Sequence, residues 1–372
     1  MNTPELRAVC AAQLRAAQPR VADLSAFLGL DGFVDEILHV VDQRESATSF
    51  HRFETIAAFG ARISSAAGKS ANIELVRQRT KLGGNGPIMA NALATFGLQV
   101  TYLGALGFPR LHPVFDEFAK RATVHSINEP GTTDALEFED GKLMLGKYAQ
   151  FSEITWTNLQ QRFGRDNFAR HFGNASLVGF VNWTMLPNMS DIWESLLTEL
   201  GPALTGPRRK IFFDLADPAK RTHEDIVRAA NLIARFTPFF DVILGLNERE
   251  ACAVGEALGI GVAARTPEGI TALALALQQR LAIDTLVVHP TRYAVAVTRG
   301  RAELVEGPRI EHVVITTGAG DHFNSGFCLA KLLGWDNAPA LLTAVATSGF
   351  YVSTGRSPTT PELAVMLDNW PA

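Results

Sequence analysis

Several features are scarce or missing in this sequence, and each absence removes a class of protein. Three scattered cysteines among 372 residues form no CxxC or zinc-binding spacing, so we expect reduced core thiols in a cytosolic protein. No apolar stretch approaches the length of a membrane-spanning helix, and no membrane partner is predicted. Lysine and arginine form no basic run, and 34 of them face 38 acidic residues. This balance argues against sequence-independent nucleic-acid binding.

The residues that are present favour a compact α/β protein. Apolar residues make up 47% of the chain and charged residues 19%, which permits a large core. Apolar runs alternate with stretches of helical periodicity, which indicates a doubly wound, mostly parallel sheet between two layers of helices. The predicted buried strands are Ala26–Leu30, Leu177–Val181, Lys210–Leu215, Asp241–Leu246 and Thr285–Val288. Ligands of such sheets bind at the carboxyl ends of the strands.

One stretch combines features that suit phosphoryl transfer. The run His312–Ile315 is predicted to be a buried strand, and Phe323 begins a stretch of helical periodicity. Unpaired N–H groups at the helix start would accept an anion. The predicted donors are Gly318, Ala319 and Gly320. Asp321 beside them is placed to take a proton from an attacking hydroxyl. The structural alternative is an aspartate that only caps the helix and complements its dipole.

The segment Thr316–Phe327, TTGAGDHFNSGF, resembles the second signature of the PfkB family of carbohydrate kinases, within the ribokinase-like superfamily. The resemblance implies an ATP-dependent kinase, with Mg²⁺, that transfers the γ-phosphate to a hydroxyl of a small sugar or sugar-like substrate. It assigns the role of base to Asp321 and the anion hole to the Gly-Ala-Gly amides. Nucleotide contacts are implied for Thr316 and Thr317. Ile315 replaces an aspartate that often organises a monovalent-cation site in that family.

Two earlier segments resemble the sugar-binding parts of the same family. A glycine-rich loop before a small-residue helix is similar to the first signature, whose N–H groups meet sugar hydroxyls. Ile88 stands where the family usually has asparagine, so the Asn85 amide is predicted to replace it. An acid after the first strand is implied to bind substrate hydroxyls, although an Asp-Gly hairpin turn is the alternative. The predicted substrate-binding residues are Asp35, Asp31 as a second candidate, Gly83, Gly84 and Asn85.

Asn247 and Glu250 follow the predicted strand Asp241–Leu246. Their spacing is that of a capping box, which contributes about 1 kcal/mol to helix stability. In the resembling kinases, Asn-x-x-Glu holds water ligands of magnesium and a phosphate. Both roles are compatible. The position at a strand end favours the functional one, with both residues binding the nucleotide and, through water, the metal.

Three segments predict a second, smaller sheet, at about 33–42, 72–82 and 132–151. Asp140-Gly141 between two alternating runs is a strong hairpin signal. The resemblance implies that these strands are inserted into a single ribokinase-like kinase domain of residues 1–372. They would form a β lid that closes over the sugar and excludes water, and that can serve as a homodimer surface.

Three other functions are alternatives to a sugar kinase. A nicotinamide dehydrogenase needs G-x-G-x-x-G after the first strand, where Gly29 stands alone. A nucleoside or vitamin kinase of the same fold shares the predicted apparatus and stays open as an alternative. A catalytically inactive, sugar-binding regulator is the third, and the presence of Asp321, Asn247 and Glu250 argues against it.

Overall fold

The computed structural model describes residues 2–261 and 264–371. Its strands are β1 Ser25–Leu30, β2 Phe33–Arg44, β3 Phe50–Arg52, β4 Leu75–Gly83, β5 Gln99–Gly104, β6 Thr123–Ser126, β7 Gly131–Glu137, β8 Lys142–Lys147, β9 Leu177–Phe180, β10 Arg209–Asp214, β11 Phe240–Leu246, β12 Thr285–Val288, β13 Tyr293–Thr298 and β14 Arg301–Glu306. Its α-helices are α1 Pro4–Val21, α2 Ile56–Ser64, α3 Asn85–Phe96, α4 Asp116–Ala119, α5 Trp156–Arg162, α6 Arg165–Asn174, α7 Met189–Ser195, α8 His223–Ala234, α9 Glu248–Ala257, α10 Pro267–Leu281, α11 Ala319–Leu332, α12 Asn337–Thr354 and α13 Thr360–Asp368.

The large sheet has the order β14-β13-β12-β11-β10-β9-β1-β5-β6 within the described residues. In this order, the seven strands β12, β11, β10, β9, β1, β5 and β6 run parallel to one another. Strands β13 and β14, at one edge, are antiparallel to their neighbours. The central strands read as continuous apolar runs because helices cover both faces. In β10, Ile211 and Phe213 belong to one core cluster and Phe212 to the other. The predicted doubly wound sheet is confirmed.

Helices pack on both faces of the large sheet and complete the three layers. The cluster on one face draws its side chains from α5 to α10, and the other from α1, α3, α4 and α11 to α13. Helix α11, which begins immediately after the glycine-rich turn, packs between α3 and α12. This arrangement places the starts of α3 and α11 side by side. Among the residues the structure describes, no helix combines the length and apolarity needed to cross a bilayer.

One predicted strand and one predicted helix end differ from the structure. The prediction of a buried strand at His312–Ile315 is wrong. Val313 and Val314 are 57% and 61% exposed, and the segment lies on the end of α12, where the Val352 carbonyl accepts the N–H of Val314 at 2.9 Å. The sequence also predicts a helix over residues 3–18 that ends before Pro19, but α1 continues to Val21. A proline in the final turn removes only one hydrogen-bond donor, so the helix can include it.

The second sheet contains β2, β3, β4, β7 and β8. Strand β2 pairs with β4 on one side and β7 on the other, which sets Asp35 beside Lys81 and Thr133. The hairpin predicted at Asp140-Gly141 is confirmed, because β7 and β8 are antiparallel around it. The three predicted segments therefore share one sheet. Its action as a lid stays a prediction.

Candidate active site

Polar residues follow the carboxyl ends of the parallel strands, at one edge of the large sheet. The residues at or just after the ends of β1, β9, β10, β11 and β12 are Asp31, Asn182, Asp214, Asn247 and His289. Parallel strands bring these ends together, which is where doubly wound folds bind ligands. The start of α11 lies at the same edge, and its first turn carries Asp321. The strand order alone therefore assembles a polar cluster from distant parts of the chain.

Asp321 is 6% exposed in the first turn of α11. The Asn85 side chain donates from Nδ2 to its Oδ1 at 3.0 Å. Burial, followed by repulsion from Asp214, raises the pKa of Asp321 well above its usual range, and the hydrogen bond from Asn85 opposes that rise. No hydrogen bond reaches the other oxygen, Oδ2, from residues 2–261 or 264–371. One oxygen of the carboxyl is therefore held and the other is free to accept a proton.

The glycine-rich turn differs in one respect from the predicted anion cradle. The Ala319 N–H donates to the Thr316 carbonyl at 3.0 Å, because these residues close a turn before the helix. The expectation of three unpaired amides is therefore wrong for Ala319. The N–H groups of Gly318 and Gly320 have no acceptor among the described residues. These two amides are available to an anion at the helix start.

Two aromatic side chains, those of Tyr351 and His322, contact the carbonyl oxygens of this turn. The Tyr351 hydroxyl donates to the Thr317 carbonyl at 2.9 Å, and His322 Nδ1 lies 2.7 Å from the Gly318 carbonyl. The rings of His322 and Tyr351 stack with centroids 3.6 Å apart. Burial lowers the pKa of His322 to about 4, so the ring is neutral at pH 7. Because a carbonyl only accepts, Nδ1 carries the proton, and Nε2 accepts from the Ser357 hydroxyl at 2.8 Å.

Asp31 is fully buried and its oxygens are occupied by the protein. Oδ2 accepts from the Asn85 N–H at 3.0 Å and from Asn182 Nδ2 at 2.8 Å. Oδ1 accepts from the Gly86 N–H at 3.0 Å and lies 3.1 Å from the Tyr102 hydroxyl. Burial raises the pKa of Asp31 to about 6 despite these four donors. The second predicted sugar acid therefore caps α3.

The loop before α3 must be made of residues without bulky side chains. A Cβ added at Gly83 would lie 2.4 Å from the Asp35 carboxyl carbon, and one at Gly84 would lie 2.9 Å from Asp31 Oδ2. Gly84 occupies the N-cap position of α3 and offers no side chain to cap it. The paired glycines thus let the two acids approach the backbone. Their predicted contact with a sugar stays a prediction.

Asp35 comes to the site from the second sheet. It is 4% exposed, and Lys81 Nζ lies 3.9 Å from its Oδ2. Burial raises the pKa of Asp35, while Lys81 and the Thr133 hydroxyl oppose the rise. Burial lowers the pKa of Lys81, and both Asp35 and Asp321 counteract this. Lys81 therefore interacts electrostatically both with Asp35 of the small sheet and with Asp321 of the large domain core.

Asn247 and Glu250 form the predicted capping box of α9. Glu250 Oε2 accepts from the Asn247 N–H at 2.7 Å, and Oε1 accepts from the Asp217 N–H at 2.9 Å. Glu250 is 5% exposed; burial, then repulsion from Asp214, raises its pKa to about 8. The structural half of the sequence prediction is confirmed. The role toward the nucleotide stays a prediction.

Asp214 lies between Glu250 and Asp321 in this electrostatic network. Asn324 Nδ2 donates to its Oδ2 at 2.7 Å, and the Ala216 N–H donates to its Oδ1 at 2.8 Å. Burial raises the pKa of Asp214 to about 6, and Asp31 adds to the rise. The Oδ1 atom of the fully buried Asn324 has no partner within the described part of the chain. Asp31, Asp214, Glu250 and Asp321 thus form one cluster of buried, electrostatically interacting acids.

This cluster of acids bears on whether a divalent cation fits. Within residues 2–261 and 264–371, no group of three or more His, Cys, Asp or Glu side chains is arranged to bind a metal directly. Both oxygens of Glu250 are used by backbone N–H groups. The repulsion among the buried acids nevertheless favours a cation held nearby through water. Water-mediated binding fits these residues, whereas direct coordination does not.

Comparison with known proteins identifies the family. The family model described as prokaryotic ketohexokinase matches residues 3–370. The chain belongs to the prokaryotic ketohexokinase family. The ketohexokinase of Haloferax volcanii is 29% identical to this chain over 367 residues, which cover 98% of this chain and 96% of that protein. Membership confirms the predicted PfkB carbohydrate kinase, a phosphotransferase that uses ATP and an alcohol acceptor.

Solved structures agree with this fold. A carbohydrate kinase from Agrobacterium tumefaciens superposes with a TM-score of 0.63 at 17% identity, over 94% of this chain and 97% of that one. The ribokinase of Arabidopsis thaliana, complexed with ribose and ATP, gives 0.62 at 17% identity, over 92% and 98%. At such identities the likeness shows a shared ribokinase-like fold. It shows nothing about the substrate of this ketohexokinase-family chain.

Several site residues of this ketohexokinase-family protein received no role from the sequence. They are Tyr102, Asn182, Asp214, Asn324 and Tyr351. Asn182 and Asp214 lie at the ends of predicted buried strands, so their position was a usable signal. Asn324 lies inside the signature segment Thr316–Phe327, at a position to which the motif assigns no role. Tyr102 and Tyr351 lie in an apolar strand and an apolar helix, where nothing in the local sequence distinguishes them from core residues.

Proposed function

We propose that this protein phosphorylates a primary hydroxyl of a ketohexose, with ATP as the phosphate donor. The observation that carries the proposal is the buried Asp321, with Oδ2 free, beside the unpaired amides of Gly318 and Gly320. The ketohexokinase relative supports this class of acceptor. Because a sugar hydroxyl is a weak nucleophile near neutral pH, a positioned base is needed to remove its proton.

In the proposed reaction the sugar oxygen attacks the γ-phosphorus of ATP in line. A bond forms between them as the bond from that phosphorus to the ADP oxygen breaks, and the hydroxyl proton passes to Asp321. The Gly318 and Gly320 amides stabilise charge that develops on the transferred group. Thr316 and Thr317 flank the nucleotide in this arrangement. Catalysis of this kind depends mainly on positioning and electrostatics.

The acceptor would lie between the two sheets. Asp35 is the acid available to sugar hydroxyls, because the protein itself occupies the Asp31 oxygens. The loop at Gly83 and Gly84 offers backbone to the sugar. The small sheet would close over it as a lid and exclude water that competes as a nucleophile.

Magnesium would be held through water by Asn247 and Glu250. When bound, it would neutralise charge on the nucleotide phosphates. The chain's own contribution is the pair of buried acids Asp214 and Glu250. Burial raises the pKa of both, repulsion from neighbouring acids adds to the rise, and a cation nearby would favour their charged forms. Water-mediated binding also agrees with the use of both Glu250 oxygens by backbone N–H groups.

A panel assay tests this function. ATP consumption is measured with D-fructose and other ketohexoses, aldohexoses, pentoses and nucleosides, for the natural protein and for Asp321→Asn. We expect turnover with ketohexoses, and a kcat about 10²–10⁴-fold lower in Asp321→Asn. Turnover of nucleosides without ketohexoses would overturn the proposed acceptor. Sugar binding without any turnover would overturn the proposed reaction.

A further inference from the structure

The contact between Asn85 and Asp321 joins residues that are 236 positions apart in the chain. The Asn85 side-chain amide donates to the proposed base, whereas a sugar-binding role would direct this amide to the substrate. Asn85 is the first residue of α3, and Asp321 lies in the first turn of α11. Packing of α3 on α11 brings the two helix starts together. The amide therefore fixes the carboxyl without occupying both of its oxygens.

Asp31 holds Asn85 in this position. The N-cap residue of α3, Gly84, makes no side-chain capping hydrogen bond. The Asp31 carboxyl replaces that cap, because its oxygens accept the N–H groups of Asn85 and Gly86, each at 3.0 Å. A carboxylate at a helix start also complements the helix dipole. The first turn of α3 is thus anchored to the end of β1.

Asp31 is in turn held from the far side. Asn182, at the end of β9, donates to Oδ2 at 2.8 Å, and the Tyr102 hydroxyl of β5 lies 3.1 Å from Oδ1. Asp31, Asn182 and Tyr102 are all fully buried. Buried hydrogen-bonded groups of this kind are rigid, since losing one partner leaves another unsatisfied in a low-dielectric interior. Three neighbouring strands of the large sheet thereby fix one asparagine.

We propose that Asn85 is a positioning residue for phosphoryl transfer, that it holds Oδ1 of Asp321 so that Oδ2 faces the acceptor hydroxyl, and that Asp31 keeps Asn85 in register. This inference rests on the proposed role of Asp321 as base. It replaces the sequence-based expectation that both residues bind the sugar directly. Asp31 contributes through Asn85, since both of its carboxylate oxygens already accept hydrogen bonds from the protein.

The electrostatic surroundings give the contact a second consequence. Asp321 faces Asp214 of β10, Asp31 after β1 and Glu250 of α9, all of which raise its pKa. Lys81 of β4, in the small sheet, is attracted to the Asp321 carboxylate, which raises the pKa of Lys81. The Asn85 hydrogen bond lowers the pKa of Asp321 against these acids. Its loss therefore leaves less of the base ionised at neutral pH.

The test compares Asn85→Ala and Asn85→Asp with Asn91→Ala, which removes an asparagine amide further along the same helix. Asn91 lies near Arg121 and away from Asp321. For the two Asn85 variants we expect kcat to fall about 10–100-fold with the sugar KM changed less than about threefold. The acid limb of the kcat–pH profile should move to higher pH in both variants. The shift should be larger for Asn85→Asp, which also adds a negative charge beside Asp321. Asn91→Ala should match the natural protein.

Asp31→Asn extends the test to the anchor. This change keeps the shape but replaces an accepting oxygen with an NH₂ group that faces a backbone N–H. We expect kcat to fall as in Asn85→Ala, together with a lower melting temperature. Because the Asp31 charge raises the pKa of Asp321, its removal opposes the move of the acid limb to higher pH. Thermal melts of all variants report folding, and Asn85→Ala, whose side chain is half-buried at a helix start, should stay folded.

The outcomes separate this inference from the proposed function. If Asp321→Asn is inactive while Asn85→Ala raises only the sugar KM, Asn85 binds sugar and the positioning role is overturned. A kcat and pH profile unchanged in Asn85→Ala would overturn it as well. If Asp321→Asn keeps its activity, the proposed function itself fails. Loss of kcat with the acid limb at higher pH in Asn85→Ala, together with loss of kcat in Asp31→Asn, supports the inference.

Discussion

The Tyr351 hydroxyl donates to the Thr317 carbonyl at 2.9 Å, and so ties the end of α12 to the glycine-rich turn before α11. The same ring stacks on His322, which contacts the next carbonyl, that of Gly318. The Thr317 carbonyl shares its peptide plane with the N–H of Gly318. The contact from Tyr351 therefore orients this unpaired N–H in advance of any ligand.

Removal of this hydroxyl should slow phosphoryl transfer. In Tyr351→Phe the ring can still stack on His322, but the Thr317 carbonyl loses its donor. We expect kcat to fall about 3–10-fold and the free energy of unfolding to fall by about 1 kcal/mol. Steady-state kinetics at saturating sugar and ATP, together with urea unfolding, measure both quantities.

Tyr293→Phe is the matched control. The Tyr293 hydroxyl is buried in β13 without a hydrogen-bond partner in the described ranges, and it lies outside the candidate site. Its removal should leave kcat unchanged and stability equal or slightly higher. An equal loss of kcat in both variants would show that the Thr317 contact has no special role.

Asp214→Asn should change both stability and activity with pH. Burial raises the pKa of Asp214 from 3.8 to about 6, so the folded state binds more protons than the unfolded state between these values. The contribution of this carboxyl to stability is therefore favourable at low pH and is lost as the pH rises toward 6. Relative to the natural protein, Asp214→Asn should gain stability over that window, on the order of 1–3 kcal/mol.

Urea unfolding from pH 4 to 8 measures this difference, with Asp241→Asn as the control. Arg208 and Lys210 outweigh burial and lower the pKa of Asp241, so its contribution is lost as the pH falls, and the control has the opposite sign. Because Asp214 also raises the pKa of Asp321, the acid limb of kcat should move to lower pH in Asp214→Asn. A stability difference that does not vary with pH would contradict a raised pKa.

Much of the scaffold is predictable because local signals agree with the global fold. The buried strand Ala26–Leu30, the Asp140-Gly141 hairpin and the capping box at Asn247 each depend on neighbouring residues. The run at His312–Ile315 shows the limit of such signals. Apolar β-branched residues predict a strand only if the fold provides a partner strand. Here the Val352 carbonyl at the end of α12 is the neighbour instead.

The contacts within the site could not be predicted in the same way. Asn85 and Asp321 are 236 positions apart, and Asp31 and Asn182 are separated by 151. No local pattern encodes such pairs, because they depend on which strands become neighbours. The sequence motifs singled out Asp31 and Asn85, and in the structure these residues contact each other while Asn85 contacts Asp321. Their division into an anchor and a positioning group required the hydrogen bonds.

Lys81→Met should weaken the proposed chemical step. Lys81 Nζ lies 3.9 Å from Asp35, and it is the small-sheet cation whose pKa responds to Asp321. Because the transferred group is anionic and the site is acidic, loss of this cation should lower kcat about tenfold or more. The sugar KM should change less. ADP release at saturating ATP and sugar provides the measurement.

An ion pair on the surface of the same sheet supplies a control for Lys81. Lys147 is 62% exposed and pairs with Asp134 at 2.9 Å, so Lys147→Met should leave kcat near its natural value. An increase in the sugar KM alone in Lys81→Met would instead show that Lys81 only holds Asp35. In that case the cation would have no part in the transfer itself.

Asp35→Asn should act mainly on the sugar. Asp35 is the buried acid of the small sheet, and Lys81 and Thr133 leave it able to accept from substrate hydroxyls. A neutral amide accepts more weakly and leaves Lys81 unpaired, so the ketohexose KM should rise about 10–100-fold with the ATP KM changed little. Initial rates over a grid of both substrates separate the two constants. Asp134→Asn, on adjacent β7, should alter neither KM. An increase in the ATP KM alone would assign Asp35 to the nucleotide, and the sugar would then require another acid.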